Sequence, residues 1–328
     1  MEDRHTMNRV DEIRTALNRE PQEFRELFYK KAVEERARHY GNTIAVSGLL
    51  ALGNICRNRC LYCGLRGPNS EIKRFRLSLD EIKRSLDGIR KQGIGRLFMI
   101  SGEDPGRSPE DLVEAVRYAS NLGFSVMLGF GVLSTELYGE LRDAGASVYA
   151  LKFETSNPQI FSSLKPDTSF EDRMQEIYEI GKAGLQLGSG NIVGLPGESL
   201  DDIAADIELT ERLEVTWAPI VPYMPSPSTP LGKTHPMGSV ELLLKEIALV
   251  RTALPSTLIT AGQPTQGSTL GFADPQGTKD AISAGANLLF VDLTPKERRE
   301  DFAITSHRIL PRIESIDRLL EELGLERE

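Results

Sequence analysis

From residue 44 onward, short apolar runs alternate with amphipathic stretches of helical period. The runs at 44–52, 95–101, 125–131, 147–152, 187–193, 216–222, 257–261 and 287–292 predict strands. Helical patterns lie between them, near 79–92, 109–122, 134–144, 170–183, 199–213, 238–253 and 275–284. Several open on start signals: Ser78 before Asp80-Glu81, Ser108-Pro109-Glu110, and Ser199 before Asp201-Asp202. Gly93, Gly123, Gly145, Gly184 and Gly285 stand just ahead of strands, where helix C-caps and turns belong. Strands alternating with helices imply a parallel sheet with right-handed crossovers. Eight repeats suggest an α/β fold of the closed (β/α)8 TIM-type, with its active site at the C-terminal ends of the strands. An open or three-quarter barrel of six units is the alternative.

Residues 7–40 read as helices. Met7, Val10, Ile13 and Leu17 fall at helical spacing, and Phe24, Leu27 and Phe28 continue the stripe after Pro21. Residues 1–42 are therefore expected to form an N-terminal helical extension that caps the start of the barrel. Residues 43–328 would be the barrel domain, ending in an amphipathic helix over 310–323 with Gly324 as its stop. Prolines and glycines concentrate at 222–236 and 262–276, just after strands six and seven, where barrel loops carry function.

The 328 residues suffice for one large barrel, and their net charge of −9 argues against nucleic acid or an anionic membrane as partner. The start, Met1 to His5, lacks the apolar core of a signal peptide, and no stretch approaches a membrane span. The three cysteines are crowded into one motif, which is no disulfide framework. A cytoplasmic, reducing location is expected.

That motif is Cys56-Arg57-Asn58-Arg59-Cys60-Leu61-Tyr62-Cys63, directly after the first predicted strand and Gly53-Asn54. Three thiolates within eight residues can turn towards one centre, and soft thiolates select iron–sulfur clusters, zinc or copper(I). Structural zinc and ordinary cluster sites take four protein ligands. With no fourth cysteine, one iron of a four-iron cluster would stay open to a non-protein ligand. The competing readings are a zinc site completed by one of the scattered histidines, His5, His39, His235 or His307, and three unrelated cysteines. At the second strand end stands Ser101-Gly102-Glu103-Asp104-Pro105, where glycine permits close ligand approach and a carboxylate can accept from an ammonium.

Together these segments resemble the radical S-adenosylmethionine (SAM) superfamily, in particular the branch of the FeFe-hydrogenase maturase HydE, methylornithine synthase and biotin synthase. Further matches run in order over about residues 44–295: Lys73-Arg74-Phe75-Arg76, Glu154-Thr155, Lys165-Pro166-Asp167-Thr168-Ser169-Phe170, Val193-Gly194-Leu195-Pro196-Gly197 and Thr294-Pro295. The resemblance implies a 4Fe–4S cluster on Cys56, Cys60 and Cys63, with SAM as its second cofactor. Tyr62 would lie against adenine, and Gly190, Ile192 and Gly194 would support it. Ser101, Gly102, Glu103 and Asp104 would hold the methionine end, together with Lys152, Glu154 and Arg173. Without the family, Arg173 would read as an exposed helix charge.

Several positions depart from the maturase pattern. Lys152-Phe153 replaces Arg-His, Ile100 replaces glutamine, Gly129 replaces serine, and Thr260-Ala261-Gly262-Gln263 departs from a threonine-rich strand end. Lysine cannot make arginine's planar bidentate grip. Gly129, Trp217, Tyr223, Thr260, Gln263 and Thr294 are accordingly the expected substrate contacts, and the substrate is expected to differ from the maturase's own. The resemblance implies anaerobic radical chemistry on a small thiol, amino-acid-derived or metal–thiolate substrate, with an external flavodoxin- or ferredoxin-type electron donor. A methylornithine-synthase-like carbon-skeleton mutase, and a non-catalytic iron–sulfur or metal carrier, are the alternatives.

Overall fold

A computed structural model describes residues 8–305 and 309–328. Met7, with which the expected N-terminal stripe began, lies outside them, as do His307 and the segment Met1 to His5 on which the signal-peptide expectation rests. The strands are β1 (Thr43–Gly53), β2 (Arg96–Ser101), β3 (Ser125–Gly129), β4 (Ala146–Ala150), β5 (Gln186–Gly188), β6 (Ile192–Val193), β7 (Trp217–Ala218), β8 (Val221–Pro222), β9 (Leu258–Ile259), β10 (Leu288–Asp292) and β11 (Glu326–Arg327). Pairing is parallel, in the order β10-β1-β2-β3-β4-β5-β7-β9. The ends of this path meet at a parallel bridge between Thr260 and Leu288, where Ala261 N donates to Leu288 O at 2.7 Å. The sheet is a closed (β/α)8 barrel of TIM type rather than the six-unit alternative.

The crossover helices form where capping serines meet apolar periodicity. Ser78 with Glu81, Ser169 with Asp172 and Ser199 with Asp202 close reciprocal capping boxes that satisfy the first free N–H groups. Helix bounds such as Leu79–Arg90, Phe170–Lys182 and Leu200–Arg212 fall within a residue or two of expectation. A short helix, Pro158–Leu164, was not foreseen; Asn157 caps it and Pro158 occupies its first turn. The helices before β1 lean on Leu200–Arg212 and Val240–Ala253. There Ile13, Leu17 and Phe24 join Ile207 and Leu243 in one cluster, and buried Lys245 donates to Leu17 O and Arg19 O.

Two expected strands are broken. Within 187–193, Ser189 turns its hydroxyl onto Leu151 O while accepting from Phe153 N, which separates β5 from β6. Within 216–222, Pro219 has no N–H for the ladder and separates β7 from β8. The outer halves, β6 and β8, pair with each other.

Inside the barrel, alternate residues of each strand point inward. Phe98, Met127, Val148, Trp217, Leu258 and Phe290 pack together and fill the lower half. Two residues further along the same strands stand Ile100, Gly129, Ala150, Pro219 and Thr260, and the interior opens.

Closure of the barrel depends on Arg251, which is fully buried. Its guanidinium donates to Gly285 O (2.8 Å), Pro255 O (2.8 Å) and Asn287 Oδ1 (2.7 Å), and the same Oδ1 accepts from Ile259 N (2.9 Å). Arg251→Met orphans the buried Gly285 carbonyl and the partly buried Pro255 carbonyl and loosens Asn287, so a loss of about 3 kcal/mol or more is expected from the urea midpoint. A change below about 1 kcal/mol would show that the β9–β10 seam holds without it.

Candidate active site

The cysteine loop leaves the C-terminal end of β1 and has almost no regular structure of its own. Buried Asn54 and half-buried Arg74 hold it. The Asn54 amide donates to Lys73 O (2.8 Å) and Asp301 O (2.7 Å) and accepts from Phe75 N (2.8 Å). Arg74 donates to the carbonyls of Asn54 (2.7 Å), Leu65 (2.8 Å), Arg66 (2.6 Å), Gly67 (3.3 Å) and Asn69 (3.0 Å). Backbone groups that no helix or sheet could satisfy thus find partners. The end of β2 packs so closely beneath that a Cβ on Gly102 would stand 2.2 Å from Ile55 O and 2.8 Å from Cys56 Cβ.

All three cysteines line one cavity of about 380 Å³ at the C-terminal mouth of the barrel. Burial pushes the Cys63 thiol up to about 12 and raises that of Cys56, with the neighbouring cysteines adding to both. Among the described residues no three Cys, His, Asp or Glu side chains converge on a single-ion position. A tetrahedral zinc would need that convergence, whereas thiolates of a cluster each bind their own iron.

The cavity wall brings together most of the residues expected from sequence: Tyr62, Ser101, Gly102, Glu103, Lys152, Glu154, Arg173 and Ile192 on the cofactor side. Glu103 lies against Gly131, and its carboxylate accepts from Arg57 Nε (2.8 Å) and Asn58 Nδ2 (2.7 Å). Glu154 has φ +67°, a left-handed conformation rare for a side-chain-bearing residue and concentrated at ligand clamps. Its buried Oε2 makes no hydrogen bond and stands 3.7 Å from Lys152 Nζ. Arg173 is 5 % exposed, not the surface charge its helix position suggested. Its Nη1 donates to Lys152 O (2.9 Å), while its buried Nε has no partner. An anion and a cation thus present atoms without hydrogen-bond partners in the same wall, although Glu154 keeps its ion pair with Lys152.

The floor is aromatic. The Phe98 and Trp217 rings meet edge-on at 4.9 Å, and Phe290 closes the group at 5.8 and 5.4 Å. A Cβ on Gly129 would stand 2.9 Å from the Phe98 ring, so this glycine makes room for the floor. Trp217 Nε1 donates to Thr260 Oγ1 (3.1 Å), leaving the threonine proton for another acceptor. Gly129, Trp217, Tyr223 and Thr260 all line the cavity. Asp104, Gln263 and Thr294 stand apart from it. Asp104 pairs with Arg76 (2.6 Å), Gln263 donates to Ile220 O (2.9 Å) and Thr260 O (3.1 Å), and Thr294 Oγ1 accepts from Ala51 N (3.0 Å).

Behind Lys152 lies a buried acidic layer that the sequence did not reveal. Lys152 Nζ donates to Asn191 O (2.9 Å), and Asn191 Nδ2 donates to Glu246 Oε2 (3.2 Å). Asp206 accepts from Ser156 N, and Glu198 from Gly194 N at 2.6 Å. Burial pushes Asp206 up to about 7 and Glu198 to about 8, and raises Glu246 well above the carboxylate range. Burial lowers Lys152, against the pull of Glu154 and Glu246. Carboxylates on amphipathic helices read as solvated. A signal existed only for Glu246, set in a helix apolar on nearly every side.

A closed barrel with three non-convergent thiols at its mouth, beside a charged wall, defines a barrel enzyme built round a thiolate-held iron–sulfur centre. The Radical SAM superfamily model matches residues 50–210. The "[FeFe] hydrogenase maturase subunit HydE" of Thermotoga maritima is 32 % identical over 297 residues, 90 % of this chain and 84 % of that protein. The 3-methylornithine synthase of Methanosarcina acetivorans is 26 % identical over 322 residues, 96 % of this chain and 89 % of the other. The crystal structure of methylornithine synthase (PylB) matches the fold with a TM-score of 0.84 at 23 % identity, over 97 % of this chain and 94 % of that one. The chain belongs to the radical SAM superfamily. It is an enzyme whose cofactors are a 4Fe–4S cluster and SAM, and it acts with an external reductant on a small molecule. The residues present fit these groups: three thiols and no fourth, a glycine edge at Gly102, and the buried Glu154 and Arg173 atoms that make no hydrogen bond. No helix among the described residues is long and apolar enough to cross a membrane.

The acidic layer makes stability pH-dependent. Asp206 and Glu198 have folded pKa values above their unfolded ones, so the stability each contributes is complete below the ordinary carboxylate range. It is lost as pH rises through about 7 for Asp206 and about 8 for Glu198. The urea midpoint should therefore fall between about pH 5 and about pH 9, and Asp206→Asn should flatten that fall. An unchanged slope in the variant would show that Asp206 titrates normally.

Proposed function

We propose that Cys56, Cys60 and Cys63 hold three irons of the cluster and leave the fourth to the methionine end of SAM. When bound, this cofactor pair would supply one-electron reductive cleavage of the sulfonium, radical chemistry that side chains do not supply. The protein's part is to bind, orient and keep water out. Glu154 and Arg173 receive the ammonium and carboxylate of the amino-acid moiety, each meeting an opposite charge. Tyr62 and Ile192 flank the adenine. The substrate, a small thiol, amino-acid-derived or metal–thiolate compound, lies between SAM and the floor of Phe98, Trp217 and Phe290, with Lys152 and Thr260 in reach of its polar groups. A flavodoxin- or ferredoxin-type donor supplies the electron, in the cytoplasm.

One observation carries this reading: three thiols and an oppositely charged pair, each with a buried atom that makes no hydrogen bond, share a single cavity. A methylornithine-synthase-like rearrangement is the second reading, favoured by identity spread over 96 % of the chain.

Anaerobic reconstitution with iron and sulfide, followed by dithionite and SAM, should yield 5′-deoxyadenosine, measured by chromatography. Cys60→Ala should abolish both the cluster absorbance and this product; product formed without Cys60 would sink the ligand assignment. Arg173→Ala should keep the cluster and weaken SAM binding about tenfold or more by calorimetry, the scale of one charge-assisted hydrogen bond. Wild-type affinity in that variant would remove Arg173 from the SAM site.

A further inference from the structure

The segment between Glu154 and Arg173 also carries Lys165, at the end of the helix Pro158–Leu164. Its ammonium is buried and stands 3.3 Å from Cys60 Sγ and 3.4 Å from the Tyr62 hydroxyl. It lies 5.8 Å from the centroids of both the Tyr62 and Phe161 rings. Among the described residues it forms no ion pair with a carboxylate. Asp167, the acid nearest in sequence, is held by Arg59 through its backbone N and its Nε, both at 2.6 Å. A buried cation without a counter-charge is strongly destabilising, and two ring faces offset only part of that.

Holding the loop in place does not require this ammonium. Leu61 N already donates to Leu164 O (2.9 Å), Leu231 N donates to Leu61 O (3.1 Å), and the Arg59–Asp167 contact anchors the residue before Cys60. What the ammonium lacks is an anion at Cys60, and an iron-bound thiolate is one.

We propose that Lys165 is a positioning residue that sets the potential of the cluster, donating to Cys60 Sγ and keeping a positive charge against that ligand. The proposal rests on the reading of the three cysteines as cluster ligands. Hydrogen bonds to ligand sulfurs and nearby charge are the protein's means of tuning such a centre. Reduction adds one negative charge, so a cation at this distance favours the reduced state over the oxidised one. Removing it makes the cluster harder to reduce.

The test is an EPR-monitored redox titration of the reconstituted full chain with iron and sulfide content measured alongside, in wild type, Lys165→Met and Lys165→Arg. Lys165→Met should carry a full cluster whose reduced-to-oxidised ratio at fixed potential falls about tenfold, or about 59 mV for one electron. Lys165→Arg should recover most of the loss. A Lys165→Met cluster with the wild-type midpoint overturns the proposal, and so does a shift that arginine fails to recover, because that marks a packing role. If Lys165→Met takes up no cluster, Lys165→Gln decides: it keeps a donor without a charge, and an unshifted midpoint there overturns the proposal. Failure of the wild-type chain to bind iron and sulfide would instead overturn the cysteine assignment, and this proposal with it.

Discussion

Everything at this site depends on fixing an irregular loop in place without secondary structure. The backbone carbonyls of residues 54–69 have no ladder or helix to donate to them, and leaving them buried and unpaired would be costly. Arg74 collects five of them on one guanidinium, and Asn54 ties the start of the loop to Lys73, Phe75 and Asp301. The fork geometry of arginine matters, since several rigid donors can serve several acceptors at once. The three thiols inherit their positions from this clamp.

Beneath the loop, the barrel interior changes character along each strand. Packed aromatic and branched residues give way to glycine, alanine and threonine, and then to charged groups at the mouth. A TIM barrel is ordinarily filled by layers of side chains. Here the upper layer is thinned by residues such as Gly129 and Ala150, and the space becomes a cavity. These small residues also make room for the floor: a Cβ on Gly129 or Gly188 would stand 2.9 or 3.0 Å from the Phe98 or Trp217 ring.

The wall on the side of β4, β5 and β6 is the electrostatic counterpart. Lys152, Glu154 and Arg173 face the cavity, with Asn191, Asp206 and Glu246 stacked behind them. Burial raises the carboxyls behind this wall above the ordinary carboxylate range, and Lys152 is gripped by Asn191 O. The strained backbone of Glu154 sits at the centre of this wall, locked by Glu154 N to Gly190 O and Ile192 N to Glu154 O. That locking is what lets an unfavourable φ persist.

The sequence by itself determined the repeating strand–helix pattern, because apolar periodicity and serine caps are local signals. It also exposed the cysteine motif, whose chemistry is written in residue type and spacing. Tertiary structure decided what depends on neighbours distant in sequence. It closed the barrel through the Thr260–Leu288 bridge, broke two strands at Ser189 and Pro219, and buried Arg173, a residue of a helix whose charges looked solvated. It kept the side chains of Asp104, Gln263 and Thr294 out of the cavity lining, although their positions at strand ends looked equivalent to those of Glu103 and Thr260. It also brought Lys165 to Cys60 and Asn191 to Glu246 across long stretches of chain. A charged residue's surroundings are set by what packs against it, and no local pattern encodes that.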